Sequence, residues 1–126
     1  MEAGTFADAA DFGEIVFNCT SGLVSLDALN DAVPDGAKVV KALNTMTAAL
    51  MVNPSAVPDD HDLFLSGNDA GAKARVTELL RSFGWRVIVD LGDIGGARGM
   101  KMILPIWLRL MGTLESPMFN FHIARG

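Results

Sequence analysis

The sequence has no tyrosine and one cysteine, Cys19. A single thiol excludes an internal disulfide framework and fits a reducing compartment, the cytoplasm. No base neighbours Cys19, so an inert, buried thiol is expected. Lysine and arginine total 10 against 15 aspartates and glutamates, a net charge of −5. Without a basic stripe, nucleic-acid binding is excluded. The longest apolar run, Met102 to Leu108, is interrupted by Pro105 and too short to span a bilayer. The acidic start, Met1-Glu2-Ala3-Gly4, lacks the basic-then-apolar order of a signal peptide. The two histidines, His61 and His122, stand far apart without clustered carboxylates, so no metal site is expected. Ser25 and Ser66 lack a nucleophile-elbow context, which leaves serine hydrolysis unsupported.

What is present is an apolar-rich chain of one-domain size. Of the 126 residues, 50% are hydrophobic and 20% charged. A chain this long buries roughly two thirds of its unfolded surface. Strand-like and helix-like segments alternate. Thr5 caps a short helix that ends at Gly13, and Glu14–Cys19 reads as a strand. Ser25–Ala32 reads as a helix, Lys38–Leu43 as a strand and Thr45–Met51 as a short helix. Pro54 and Pro58 make 53–61 a loop, in which His61 is solvated. Asp62–Ser66 reads as a strand. Asn68 or Asp69 caps an amphipathic helix over Ala70–Phe83, with Ala72, Val76, Leu79, Leu80 and Phe83 at helical spacing and Gly84 ending it. Arg86–Leu91 is a further strand. The glycine-rich loop Gly92–Gly99 leads into a helix over Met100–Leu114, kinked or delayed by Pro105. Phe119–Ile123 alternates as an edge strand would. Such a pattern predicts an α/β fold built from βαβ units. Its sheet is mostly parallel, of four to five strands, with helices on both faces.

In open parallel sheets, ligands bind beyond the C-terminal strand ends. Three segments fall there. Thr20-Ser21-Gly22 offers small hydroxyls for a ribose or nicotinamide, or is an ordinary capped turn. Asn44-Thr45 carries the same two readings. Gly92 to Gly99 has the strand-to-helix context of a phosphate turn, where glycines allow close approach and helix amides donate. Its spacing is not G-x-G-x-x-G, and Asp93 opposes an anion that Arg98 would favour. A plain strand-to-helix connection is the alternative. Ser66-Gly67-Asn68 reads as helix capping. The apolar stripe Met102, Ile103, Ile106, Trp107, Leu110 and Met111 reads as core or subunit interface.

Several stretches, taken together, resemble the coenzyme F-420-dependent NADP reductase family of dinucleotide-binding enzymes. Val39–Thr45 (VVKALNT) is similar to that family's "VVKAFNT" strand, and Asp62–Ala74 (DLFLSGNDAGAKA) to its next strand and helix. Leu79–Asp90 (LLRSFGWRVIVD) and Leu91–Leu104 (LGDIGGARGMKMIL) follow in the family's order, as does Ala3–Gly22 at the front. The resemblance covers nearly the whole chain. Two features of the family are missing: the first strand with its G-x-G-x-x-G/A/S turn before Met1, and a strand with an "Asn-Pro" loop between the positions of Leu29 and Lys38.

The resemblance implies a truncated NAD(P)-binding Rossmann-like domain over residues 1–126. It implies hydride transfer between NADP and a deazaflavin or flavin acceptor such as coenzyme F-420, with no catalytic acid or base. Thr20, Ser21 and Gly22 would meet the nicotinamide and its ribose. Asn44 and Thr45 would line the ring pocket, with Ala97 and Arg98 nearby. The alternative is a non-catalytic oligomeric α/β remnant. Without its central neighbour the first strand has an open edge, so a homo-oligomer is expected through that edge or the last helix.

Overall fold

The computed structural model describes Thr5, Asp8, Asp11, residues 13–19 and residues 36–126. It divides into two compact units, Met1–Ala37 and Lys38–Gly126. The expected helix Ser25–Ala32 and the segment Thr20-Ser21-Gly22 lie outside the described residues.

In the first unit, Asp8 and Asp11 are helical. The Thr5 N–H donates to Asp8 Oδ2 at 2.7 Å, and the Asp8 N–H donates back to Thr5 Oγ1 at 3.2 Å. This reciprocal cap satisfies two amides that no helical carbonyl can reach. The two Thr5 donors hold the Asp8 carboxyl below its ordinary value. Glu14–Cys19 does not form the expected strand. Glu14 and Ile15 bend, and Val16–Cys19 has no regular structure. The segment is a continuous apolar run rather than an alternating one. Such a run becomes a strand only between two covering layers, and Val16 and Phe17 are more than half exposed. Cys19, expected to be buried, is an exposed free thiol.

The second unit is built on a three-stranded sheet in the order β1 (Val40–Ala42), β2 (Asp62–Gly67), β3 (Val87–Asp90). β2 and β3 are parallel, joined by a full helix, α2 (Ala70–Ser82). β1 and β2 are antiparallel. The sheet is therefore mixed, not mostly parallel, and three described strands replace the expected four to five. Parallel strands need a substantial crossover, usually a helix. Between β1 and β2 there is only the single turn α1 (Ala48–Met51) and a 3-10 turn, Pro54–Ala56. Leu43, at φ 66°, turns the chain immediately after β1.

β2 is buried at every residue. Its alternation sends Leu63 and Leu65 into a core with Met46, Leu50, Leu80 and Trp85, flanked by Val40, Ala42 and Ile88. Phe64 and Ser66 face the other way, toward α3 (Gly96–Met102). Helices thus cover both faces. The α2 helix begins where the sequence indicates: Asp69 Oδ1 accepts the Ala72 N–H at 2.7 Å. It ends as expected, because Gly84 adopts φ +101°, a conformation a side chain would strain.

The last expected helix is two. α3 begins at Gly96, inside the supposed loop, and α4 (Leu104–Leu114) carries Pro105 in its first turn. Proline is tolerated there because its missing N–H would have had no partner. Phe119–Ile123 forms no ladder, yet it docks on β2. The Asp62 N–H donates to Phe121 O at 2.9 Å, and Ile123 N–H donates to the buried Asp62 Oδ2 at 2.6 Å. Among the described residues no helix is long and apolar enough to cross a membrane.

The burial pattern sets an expectation for stability. Leu80→Ala empties a site only 1% exposed, and urea unfolding should register a loss of about 2–5 kcal/mol. Met102, 73% exposed, should tolerate alanine within about 0.5 kcal/mol. Comparable losses at both positions would contradict this core.

Candidate functional site

Two loops meet at the C-terminal edge shared by β2 and β3. One is Gly67–Asp69, the other Leu91–Gly95. Lys73, on α2, reaches across to the second. Its Nζ lies 2.7 Å from Asp90 Oδ2 and 3.0 Å from Oδ1, and donates to Gly92 O at 3.1 Å. Asp90 Oδ1 in turn accepts the Gly92 N–H at 2.8 Å. Lys73 and then the Gly92 amide hold the Asp90 carboxyl below its ordinary value. Asn68 does not cap the helix. Its Oδ1 accepts the Ile94 N–H at 2.9 Å and ties the second loop to the first.

The glycine-rich segment is consequently not a phosphate cradle. Asp93 Oδ1 accepts the Gly95 N–H at 2.8 Å, and its backbone carbonyl takes that of Gly96. The amides of Ala97 and Arg98 bond to Ile94 and Gly95 carbonyls. Donors that a phosphate would need are already used, and Asp93 places its own carboxylate among them. Gly96 is required for packing instead. A Cβ there would lie 2.9 Å from Leu91 O and 3.1 Å from Ser66 Cβ. Ala97 is half-buried and Arg98 exposed on α3, and Arg98 forms no ion pair among the described residues.

Asn44 and Thr45 follow β1. Because β1 is antiparallel to β2, the chain leaves it toward the Asp62 end, whereas Ala97 and Arg98 follow the Gly67 end. The expected residues are therefore not gathered at one strand edge. Yet Asn44 Oδ1 and Thr45 Oγ1 are both buried without a hydrogen-bond partner, and Thr45 is only 3% exposed. An unpaired buried acceptor costs about 1–3 kcal/mol, so a polar group presented to it by a ligand would be favoured.

A depression of about 600 Å3 lies at the opposite end of β2 and β3. Pro54, Pro58, Asp59, His61, Trp85 and Arg86 line it. His61, expected to be solvated, is buried and structural. Its Nε2 donates to Pro54 O at 3.0 Å, which leaves Nδ1 to accept from Asn120 Nδ2 at 2.9 Å. Trp85 stands edge-on to it at 5.1 Å. With both ring nitrogens engaged, His61 has no free function as a base. His122 is exposed, 3.8 Å from Asp62 Oδ1. Among the described residues no cluster of potential metal ligands occurs.

The sequence carries a local signal for the Asp90–Gly92 contact. An aspartate that ends a strand two residues before a glycine commonly bonds the following amide. The contribution of Lys73 depends on the α2–β3 packing and has no local signal.

No protein-family model matches the chain, and no curated protein matches it. Among solved structures, a candidate F-420-dependent NADP reductase from Arthrobacter sp. FB24 superposes with a TM-score of 0.88 at 40% sequence identity. The match covers 97% of this chain and 74% of that one.

The Asp90 interactions make a pH-dependent prediction. A carboxyl whose folded value is depressed contributes stability above its unfolded value, about 3.9, and loses it as pH falls through the folded value. The difference in melting temperature between wild type and Asp90→Asn should thus be constant above about pH 5 and shrink in stronger acid. A difference independent of pH down to 2 would exclude this ionic contribution.

Proposed function

The chain belongs to the F-420-dependent NADP reductase family, and from that premise we propose that it is an oxidoreductase passing hydride between NADP and a deazaflavin or flavin acceptor. The match over 97% of the chain at 40% identity carries this reading. When bound, the nicotinamide and acceptor rings supply the redox chemistry; the protein supplies orientation, electrostatics and exclusion of water. No acid or base has to be provided by the chain.

The residues present fit a ring better than a pyrophosphate. The orphaned acceptors Asn44 Oδ1 and Thr45 Oγ1 suit the amide or N–H edge of a heteroaromatic ring. Ala97 and Arg98 follow the other end of β2, and Thr20, Ser21 and Gly22 are assigned to the nicotinamide and its ribose by family resemblance alone. In contrast, the amides of Gly92 and of Ile94 to Arg98 are engaged by Asp90, Asn68 and the loop itself, which speaks against this segment as the holder of a dinucleotide phosphate. We place the protein in the cytoplasm, where its exposed Cys19 thiol would remain reduced.

One observation favours the second reading, a non-catalytic oligomeric module. No residue of α4 is buried, and Leu104, Ile106, Leu108 and Leu114 are each at least half exposed. Apolar faces of this kind mark association surfaces. Sedimentation of the wild type should show a dimer or larger species, and Leu104→Asp with Leu108→Asp should shift it toward monomer. A wild-type monomer at micromolar concentration would contradict the association.

Titration with NADPH discriminates the two readings. If NADPH binds at this site, ligand at about a hundred times Kd adds about 2.7 kcal/mol of stability. Asn44→Ala and Thr45→Val should weaken that effect while leaving the unliganded protein folded. A melting temperature unmoved by millimolar NADPH would exclude intrinsic dinucleotide binding and favour the module.

A further inference from the structure

The face of the sheet beneath α3 collects positive charge that no carboxylate among the described residues answers. Lys41 is the antiparallel partner of Ser66, so the two side chains project from the same face. The flanking residues Val40 and Ala42 pack toward the core on the other face. Ser66 is fully buried, and its Oγ–H reaches only Met100 Sδ, a weak acceptor, at 3.7 Å. This contact sets α3 against the face from which Lys41 projects, and Lys101, next to Met100 on α3, is near enough to act electrostatically on Lys41. Arg98 is three residues before Lys101 and therefore its neighbour on the helix surface. Burial first, and Lys101 second, hold the half-buried Lys41 ammonium below the ordinary lysine value.

None of these three cations has an ion-pair partner among the described residues. Carboxylates of adjoining segments are engaged elsewhere. Asp90 pairs with Lys73, Asp93 bonds the Gly95 amide, and Asp62 accepts from Ile123. Two ammonium groups brought together, one of them half-buried, repel each other unless an anion lies between them. We propose that Lys41 and Lys101, with Arg98 at the margin, form a binding site for the phosphate or other oxyanion arm of a ligand. That this ligand is the redox cofactor rests on the reductase reading; the anion site itself does not. In that case the negative charge of the cofactor is met by side chains over the sheet face rather than by loop amides.

Inorganic pyrophosphate is the probe. Its titration into the full chain, followed by NMR of the lysine side chains, should shift Lys41 and Lys101 saturably and by a common Kd. Lys41→Gln and Lys101→Gln should each weaken that Kd by about tenfold or more. Without ligand, Lys101→Gln should raise the melting temperature by about 1–2 °C, because it removes a like-charge repulsion from a surface position. Shifts that do not saturate or are spread over all lysines would overturn the site. So would an unchanged Kd in Lys101→Gln, or a lower melting temperature in that variant. Competition then identifies the ligand. Displacement of pyrophosphate by NADP but not NAD assigns the site to the 2′-phosphate, equal displacement by both to the dinucleotide bridge, and displacement by coenzyme F-420 alone to the acceptor. If pyrophosphate binds and none of these competes, the anion site stands but does not serve the redox cofactors; the reductase reading itself is decided separately, by the NADPH melting shift.

Discussion

Everything described in the second unit depends on the complete burial of β2. A strand with both faces and both edges covered must find a partner for every backbone group and a neighbour for every side chain. β1 and β3 supply the ladders, α1 and α2 the layer over Leu63 and Leu65, and α3 the layer over Ser66. The irregular C-terminal segment takes the Asp62 amide. Each of these is a response to the same requirement. It also explains why a glycine stands at position 96, where α3 comes within van der Waals contact of Ser66.

The elements legible in the sequence were those whose signals are local. Asp69, the periodic apolar positions of α2 and Gly84 define a helix from within sixteen consecutive residues. The β-branched and apolar run of β3 is equally self-contained. The direction of β1 was not legible, because a three-residue strand pairs in either sense and only the length of its connection to β2 decides. Nor was the helical state of Gly96 and Gly99: glycine lowers helix propensity, and here the close approach of α3 to the sheet overrides it. His61 misled for a related reason. Asp59 and Asp60 before it suggest solvent, but the ring is held by Asn120, 59 positions later.

The candidate site divides along the same line. Asn44 and Thr45 stood out as polar residues at a strand end, and they are indeed buried acceptors without partners. What the sequence could not convey is that they and Arg98 follow opposite ends of β2. The glycine-rich loop invited a phosphate for sound stereochemical reasons, yet Asn68, Asp90 and Asp93 use its amides to fasten the loop to itself and to the neighbouring strand. A rigid, self-satisfied loop of this kind positions α3 rather than receiving a ligand, and places positive side chains over the sheet where backbone donors might have been expected.

The absence of tyrosine has an optical consequence. All near-ultraviolet emission of consequence comes from two indoles. Trp85 is buried in the core, edge-on to His61, with its Nε1–H on Met51 O. Trp107 lies on α4, stacked at 5.4 Å against Phe119, which in turn meets Phe121 edge-on. The chain thus carries one built-in chromophore for the sheet and its helices and another for the C-terminal segment, and a replacement of either indole leaves a spectrum that reports on the other region alone.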